Sequence, residues 1–316
     1  MSALLTPLAL RVPRRRRGVR PCDRIFVLIK RFAPEAKFIE MSQENHLILS
    51  SSQGYFSECK EGLGDFYRSF ARFRLARTLA YQDILGKYRG SILGPFWITI
   101  TTAALTAGLG VLYSNIFGAG VRNYVPFIAI GLVVWSFIAS TITEGTNAFN
   151  DAAGILRQTS LPVPLFLLRV TLRNCIVLMH QLIILVAVFA YFRLPLGVES
   201  LMSLLGLALM TINLAWIAML VAIASSRFRD VPQVVTALMQ FALFMTPVFW
   251  SPEKVAGHPL VTLNPFYYML DAVRTPLLGH ALDPRTLTVV LTMAVVGWAI
   301  TLLTYAATRR RVVHYL

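Results

Sequence analysis

Six stretches of this 316-residue chain run for 19 to 32 positions without a single Asp, Glu, Lys or Arg: 90–121, 123–143, 174–192, 200–226, 231–252 and 286–308. About 20 apolar residues are what a helix needs to cross the hydrocarbon of a bilayer. Within hydrocarbon every backbone N–H and C=O must find its partner in the protein, which a helix achieves inside one segment. The pattern predicts an all-α integral membrane protein with six transmembrane helices. A hydrophobic content of 56%, a charged content of 14% and a mean hydropathy of +0.62 agree, lying outside the range of soluble domains. A seventh apolar run, 255–270, has only 16 positions and contains His258, Pro259 and Pro265. It is too short and too broken to cross, and is expected to form short re-entrant or interfacial helices between spans five and six.

The cations set the expected orientation. With both termini on the cytoplasmic side, that side holds 25 Lys and Arg: 17 within 1–93, then Arg157, Arg169, Arg173, Arg227, Arg229, Arg309, Arg310 and Arg311. The other side holds five: Arg122, Arg193, Lys254, Arg274 and Arg285. This is the positive-inside bias, and it persists at 8 to 5 without the N-terminal segment. A net charge of +15 might suggest nucleic acid, but the cations lie beside membrane spans, where anionic lipid attracts them. Nucleic acid is therefore not an expected partner.

Residues 1–60 read as a basic, poorly ordered N-terminal segment. Its Arg run follows a short apolar stretch, the reverse of a secretory signal, so no cleaved leader is expected. For 1–40 two readings stay open, a functional basic arm and a start codon misassigned upstream of Met41. Cys22, Cys59 and Cys175 have no metal or redox spacing. Residues 61–93 form an interface segment, 94–308 the six-span domain and 309–316 a basic cytoplasmic tail. Within 66–92, Phe66, Phe70, Phe73, Ala80, Ile84 and Tyr88 recur at helical steps while Arg68, Arg72 and Lys87 point elsewhere, an amphipathic helix for the inner interface. Gly94 and Pro95 then turn the chain into the bilayer with Trp97 at interface depth, a structural elbow.

The stretch 81–105, "YQDILGKYRGSILGPFWITITTAAL", resembles the start of the membrane subunit of polysaccharide-exporting ABC transporters of the ABC-2 type, through Asp83, Lys87, Tyr88, Arg89, Ser91, Leu93, Gly94, Pro95 and Trp97. "SSRFRDVPQVVTALMQFALFMTPVFW" (225–250) and "NPFYYMLDAVRTPLLG" (264–279) resemble two further stretches of the same family, and the resemblance covers about 66–316. It implies a permease in the bacterial inner membrane, a homodimer served by two separate ATP-binding subunits that hold the ATP and magnesium. No G-x-x-x-x-G-K-[ST] occurs in this chain, which itself is expected to bind no cofactor or metal and to catalyse nothing. Lipid-linked polysaccharide and membrane lipids are the implied remaining partners.

By the same resemblance, Arg72 and Asp83 of the interface helix and Asn150, Asp151 and Arg157 of the loop 144–165 would couple to the ATPase, with Pro162 and Pro164 stopping that loop. Glu144 is expected at the inner interface, paired with a cation such as Arg157. Asp230 is expected to cap the fifth span ahead of Pro232. The pyrophosphate of a lipid carrier would favour Lys87, Arg89, Arg169 and Arg173. Tyr113, Phe117, Phe244 and Trp250 are candidates to line a glycan route, since sugar C–H faces stack on aromatic rings. In-class alternatives are export of teichoic acid, lipid or drug. An integral-membrane acyl or glycosyl transferase would need a paired acid/base constellation, and the acidic residues here are scattered. A secondary transporter would need ionisable groups at midplane, where the spans offer only His180.

Overall fold

The computed structural model describes residues 55–94, 96–118, 120–195, 197–252 and 258–315. The expectations for the basic segment up to residue 54, with Cys22, and for Pro95 lie outside the described residues. Every regular element among those described is helical. Two helices precede the apolar segments, α1 (Tyr55–Ala71) and α2 (Phe73–Lys87). Then follow α3 (Phe96–Phe117), α4 (Val121–Thr146), the short α5 (Ala153–Gln158), α6 (Pro164–Phe192) and α7 (Met202–Arg227), the last entered through a 3₁₀ turn, Val198–Leu201. The chain ends with α8 (Val231–Met245), α9 (Pro259–Thr262), α10 (Pro265–Leu277) and α11 (Pro284–Tyr315).

Five of these, α3, α4, α6, α7 with its 3₁₀ turn and α11, are long and apolar enough to cross a membrane. The expected fifth crossing is α8, whose helical part has only 15 residues. At 1.5 Å per residue it rises about 22 Å. Its end is written in the sequence: Thr246 precedes Pro247 and is extended, as a residue before proline tends to be. Asp230 does occupy the N-cap position of α8, but its side chain makes no cap hydrogen bond; its carbonyl accepts from the Gln233 and Val234 amides instead.

Helix α4 is the centre of the bundle. It packs on α3, α6, α7, α8 and α10, and its residues are buried on nearly every side from Tyr124 to Thr146. Glycines allow this crowding: Gly131 lies against the Val248 carbonyl and Gly145 against Ala218. Helix α3 turns small and polar residues inward, Thr99, Thr102, Thr106, Gly110 and Ser114, and large ones such as Trp97, Ile100, Leu105 and Ile116 outward. Small residues bring backbones close, and a lipid-facing surface is apolar at no cost. The Gln181 amide of α6 donates to Ser136 of α4 at 3.0 Å and to Thr102 of α3 at 3.3 Å, so three helices share one buried polar contact.

The expected single interface helix over 66–92 is two helices, broken at Arg72. Phe66 of α1 sits edge-on to Trp298 and Tyr305 of α11, while Ala76, Ala80 and Ile84 of α2 are buried and α2 packs against α6. Phe70 and Phe73, expected on the same stripe, are exposed. Gly90 and Gly94, both at positive φ, turn the chain from α2 into α3, and the Gly94 amide donates to the Ser91 hydroxyl at 3.1 Å. At the far end of the bundle, Asn264 caps α10 by accepting from the Phe266 amide at 2.9 Å.

Helix α10 meets α7 where Gly206 faces the Ala272 carbonyl, and a Cβ built at Gly206 would lie 2.1 Å from that oxygen. Gly206→Ala is expected to cost about 1–3 kcal/mol, as overpacking does. Gly108, with nothing within 4 Å of its built Cβ, supplies the control. Thermal unfolding in detergent should show Gly206→Ala melting well below the parent and Gly108→Ala at or slightly above it.

Candidate functional site

One end of the bundle carries a charged hub. Asp83 and Lys87 are one turn apart on α2, and Arg169 and Arg173 are one turn apart on α6, so each pair shares a helix face. Arg169 donates to Asp83 through Nε at 2.7 Å and through Nη2. Arg173 bridges two carboxylates, reaching Asp83 Oδ2 at 3.1 Å from Nη1 and Glu144 Oε2 at 2.8 Å from Nη2. Asn174 Nδ2 adds a bond to Glu144 at 3.0 Å, and Lys87 Nζ reaches Glu144 Oε1 at 3.2 Å. The two arginine forks thus join α2, α4 and α6, with planar guanidinium groups matching planar carboxylates.

The hub borders a cleft of about 420 Å³ that Asn147 and Asp151 also line. Partial desolvation pushes the Asp151 carboxyl above its usual range, and the nearby Arg173 and Arg169 pull it back. Lys87, Arg169 and Arg173 face Asp83, Glu144 and Asp151 here, three cations against three anions.

Residues expected to serve two different purposes therefore meet. Asp83, a coupling candidate, holds Arg169 and Arg173, which were candidates for a pyrophosphate. Glu144 is paired, as expected of it, but with Arg173 and Lys87 rather than with Arg157. Arg157 lies on α5, whose Leu156 is buried while Arg157 points outward. Pro164 ends the 144–165 loop by opening α6 at the first helical position, where its missing N–H does no harm. That start places Arg169 and Arg173 inside α6 instead of in a loop before it. Asn150 donates to Ser225 of α7 at 3.3 Å, and Arg89 is exposed in the turn after α2.

A second cluster escaped the sequence reading. Asp65 of α1 is 6% exposed and accepts from Tyr305 Oη at 3.1 Å, from Arg309 of α11 and from Arg68 at 2.8 Å. Arg309 also reaches Glu61. Arg72, at the break between α1 and α2, lines a cleft of about 640 Å³ between this cluster and residues 159–163. The available signal was the Glu61/Asp65 spacing, an i,i+4 acidic pair on a basic segment.

At the opposite end the aromatic candidates form a chain. Tyr113 stacks on Phe117 at 5.8 Å and on Phe249 at 6.0 Å; Phe117 meets Tyr124, and Phe249 meets Phe244 at 6.4 Å. Tyr124 Oη donates to the Phe249 carbonyl at 2.6 Å. The Trp250 indole donates to the Phe244 carbonyl at 3.3 Å, tying the fourth candidate to the others. Trp97 is more than half exposed at the start of α3. No cluster of His, Cys, Asp and Glu suited to a metal ion occurs among the described residues.

The family model described as ABC-2 type transporter matches residues 74–278, most of α2 through α10. The chain is similar to the O-antigen export system permease protein RfbA of Myxococcus xanthus, 24% identical over 210 residues, covering 65% of this chain and 80% of the relative. It is similar as well to two proteins of that name from Klebsiella pneumoniae, 24% and 23% identical over 222 residues, each covering 67% of this chain and 83% of the relative.

Unequal contributions are expected within the hub. Arg173→Ala leaves two partly buried carboxylates under-neutralised and should cost about 2–3 kcal/mol, below the full range for broken buried pairs because the groups remain partly wet. Lys87→Ala, at a mostly exposed lysine, should cost under about 1 kcal/mol. Thermal unfolding of the purified protein checks both, and Arg173→Ala combined with Glu144→Ala should be less damaging than the sum of the single changes.

Proposed function

The chain belongs to the ABC-2 type transporter family, and from that premise we propose that it is the membrane subunit of an exporter for a lipid-linked bacterial polysaccharide of O-antigen or capsular type. The observation that carries the reading is the family match, which includes the elbow, the hub and the aromatic chain in one continuous segment, together with the similarity to the O-antigen permeases over about two thirds of the chain. In this reading the protein sits in the inner membrane with both termini cytoplasmic and the hub on the cytoplasmic side. Helix α8, continued by Thr246–Trp250, makes the fifth of six crossings, and α9 and α10 dip into the outer face without crossing.

A homodimer of this chain works with two ATP-binding subunits that supply ATP and magnesium. Closure of those subunits pushes on the α1–α2 pair and on the α5 loop, where Arg72, Asn150, Asp151 and Arg157 face outward or border a cleft. Asp83 takes a different part from the one its motif suggests: it passes force inward, through Arg169 and Arg173, to α6 and α4. The copies separate along α3 and α8, whose outward faces are large and apolar. The polymer slides past Tyr113, Phe117, Phe244 and Trp250 on many weak contacts. A carrier pyrophosphate would have to displace Asp83 or Glu144 from the hub arginines, so of the four inner cations Arg89 is the one best placed to meet it.

Teichoic-acid, lipid or drug export uses the same machinery and is favoured by no residue here. A transferase is disfavoured because Asp83, Glu144, Glu61 and Asp65 are all engaged by arginines.

Affinity-tagged protein should co-purify with an ATPase subunit, and deletion of the gene should abolish surface polysaccharide while its lipid-linked precursor accumulates inside. Unchanged surface polysaccharide in the deletion strain would defeat the reading.

A further inference from the structure

Arg274 is a buried cation whose charge no described residue meets at ion-pair distance. It is 2% exposed, its Nη1 donates to the Pro247 carbonyl at 2.6 Å, and its guanidinium lies over the Phe127 ring at 4.1 Å. A guanidinium carries five N–H donors, so that single bond leaves four unsatisfied by the described residues. The nearest acid, Asp271, is one turn back on α10, but Thr275 and Thr286 donate to its two oxygens at 2.7 and 2.8 Å. Arg274 and Asp271 both border a cavity of about 560 Å³ that Tyr124, Phe127, Tyr267, Asn123 and His280 also line.

We propose that this cavity binds a carboxylate-bearing sugar, the acid group on the open side of Arg274 and the sugar ring against Tyr124 and Tyr267. A planar fork of N–H groups suits a planar carboxylate, and a buried charge favours an opposite partner strongly because water competes weakly. The flanking rings offer apolar faces to sugar C–H groups, and the cavity volume falls within the usual range of small-ligand sites. Asp271 lines the same cavity, so the group that docks on the Arg274 fork has room for a single negative charge, held on the side away from that carboxylate. A phosphate monoester, with about −1.5 to −2 charge, would set its excess charge near the Asp271 carboxylate. The saccharide class rests on the export reading above, whereas the anion preference of Arg274 does not. The site would favour acidic sugar units as the chain reaches the outer mouth.

The test is direct binding to the permease–ATPase complex in nanodiscs, by calorimetry or saturation-transfer NMR, with trigalacturonate, the neutral trisaccharide maltotriose, and inorganic phosphate as competitor. Trigalacturonate should bind at least about tenfold tighter than maltotriose, the scale of one charge-assisted contact. Asn123 is exposed at the rim, so Asn123→Asp should fold normally; it should weaken trigalacturonate about tenfold and leave maltotriose unchanged. Arg274→Lys, which keeps the charge and loses the fork, should weaken trigalacturonate if its melting temperature is retained. Equal affinity for the two trisaccharides overturns the acid preference while the export reading stands. Displacement of trigalacturonate by phosphate as readily as by free galacturonate overturns the carboxylate assignment. Failure of a folded, ATP-hydrolysing complex to bind trigalacturonate overturns the site altogether.

Discussion

Arg169 and Arg173 belong to a helix that is otherwise fit for hydrocarbon, and their charge must be neutralised before that helix can be packed into a membrane bundle. The neutralising groups come from two other elements: Asp83 from a helix that precedes every apolar segment, and Glu144 from the end of the central helix. Placement of α2 is thereby tied to placement of α6 and α4. Removing the contact would leave either a charged helix start or a detached surface helix. The second cluster repeats the device at the other end of the same surface segment, with Asp65 accepting from Tyr305 and Arg309 of α11.

Much of the helix inventory was legible because a span leaves a long charge-free signature. Starts and ends were less so, for one physical reason: counting from charge to charge assumes that charges lie outside helices. Helix α6 begins at Pro164, ten residues before its charge-free window, since Arg169 and Arg173 find partners and need no water. Similarly α11 runs on through Arg309, which Asp65 and Glu61 hold. Helix α8 errs the other way. Its window contains 22 positions, but Pro247 ends the helix, and the rest of the window is spent on a turn that brings Phe249 to Tyr113 and Tyr124.

The candidate site was legible by residue type and much less by pairing. Asp83, Glu144, Arg169 and Arg173 all drew attention, yet nothing in their spacing said that two acids and two arginines from three helices would meet. The aromatic candidates did fall together, because residues at 113, 117, 244 and 250 sit near the same ends of α3 and α8. Asp65 was missed altogether, and Arg274 stood out only as a cation of the family-like stretch 264–279. Neither charge announces in the sequence that it is buried, which is what sets both apart in the fold.

Arg72 interrupts what the periodicity presents as one continuous rod. Helix α1 packs on α11 and also touches α6, whereas α2 packs on α6, so the joint at Arg72 lies in a segment held at both ends to different helices of the bundle. Any change in the spacing of α11 and α6 would load this segment through Asp65, held by Arg309 at one end, and Asp83, held by Arg169 at the other.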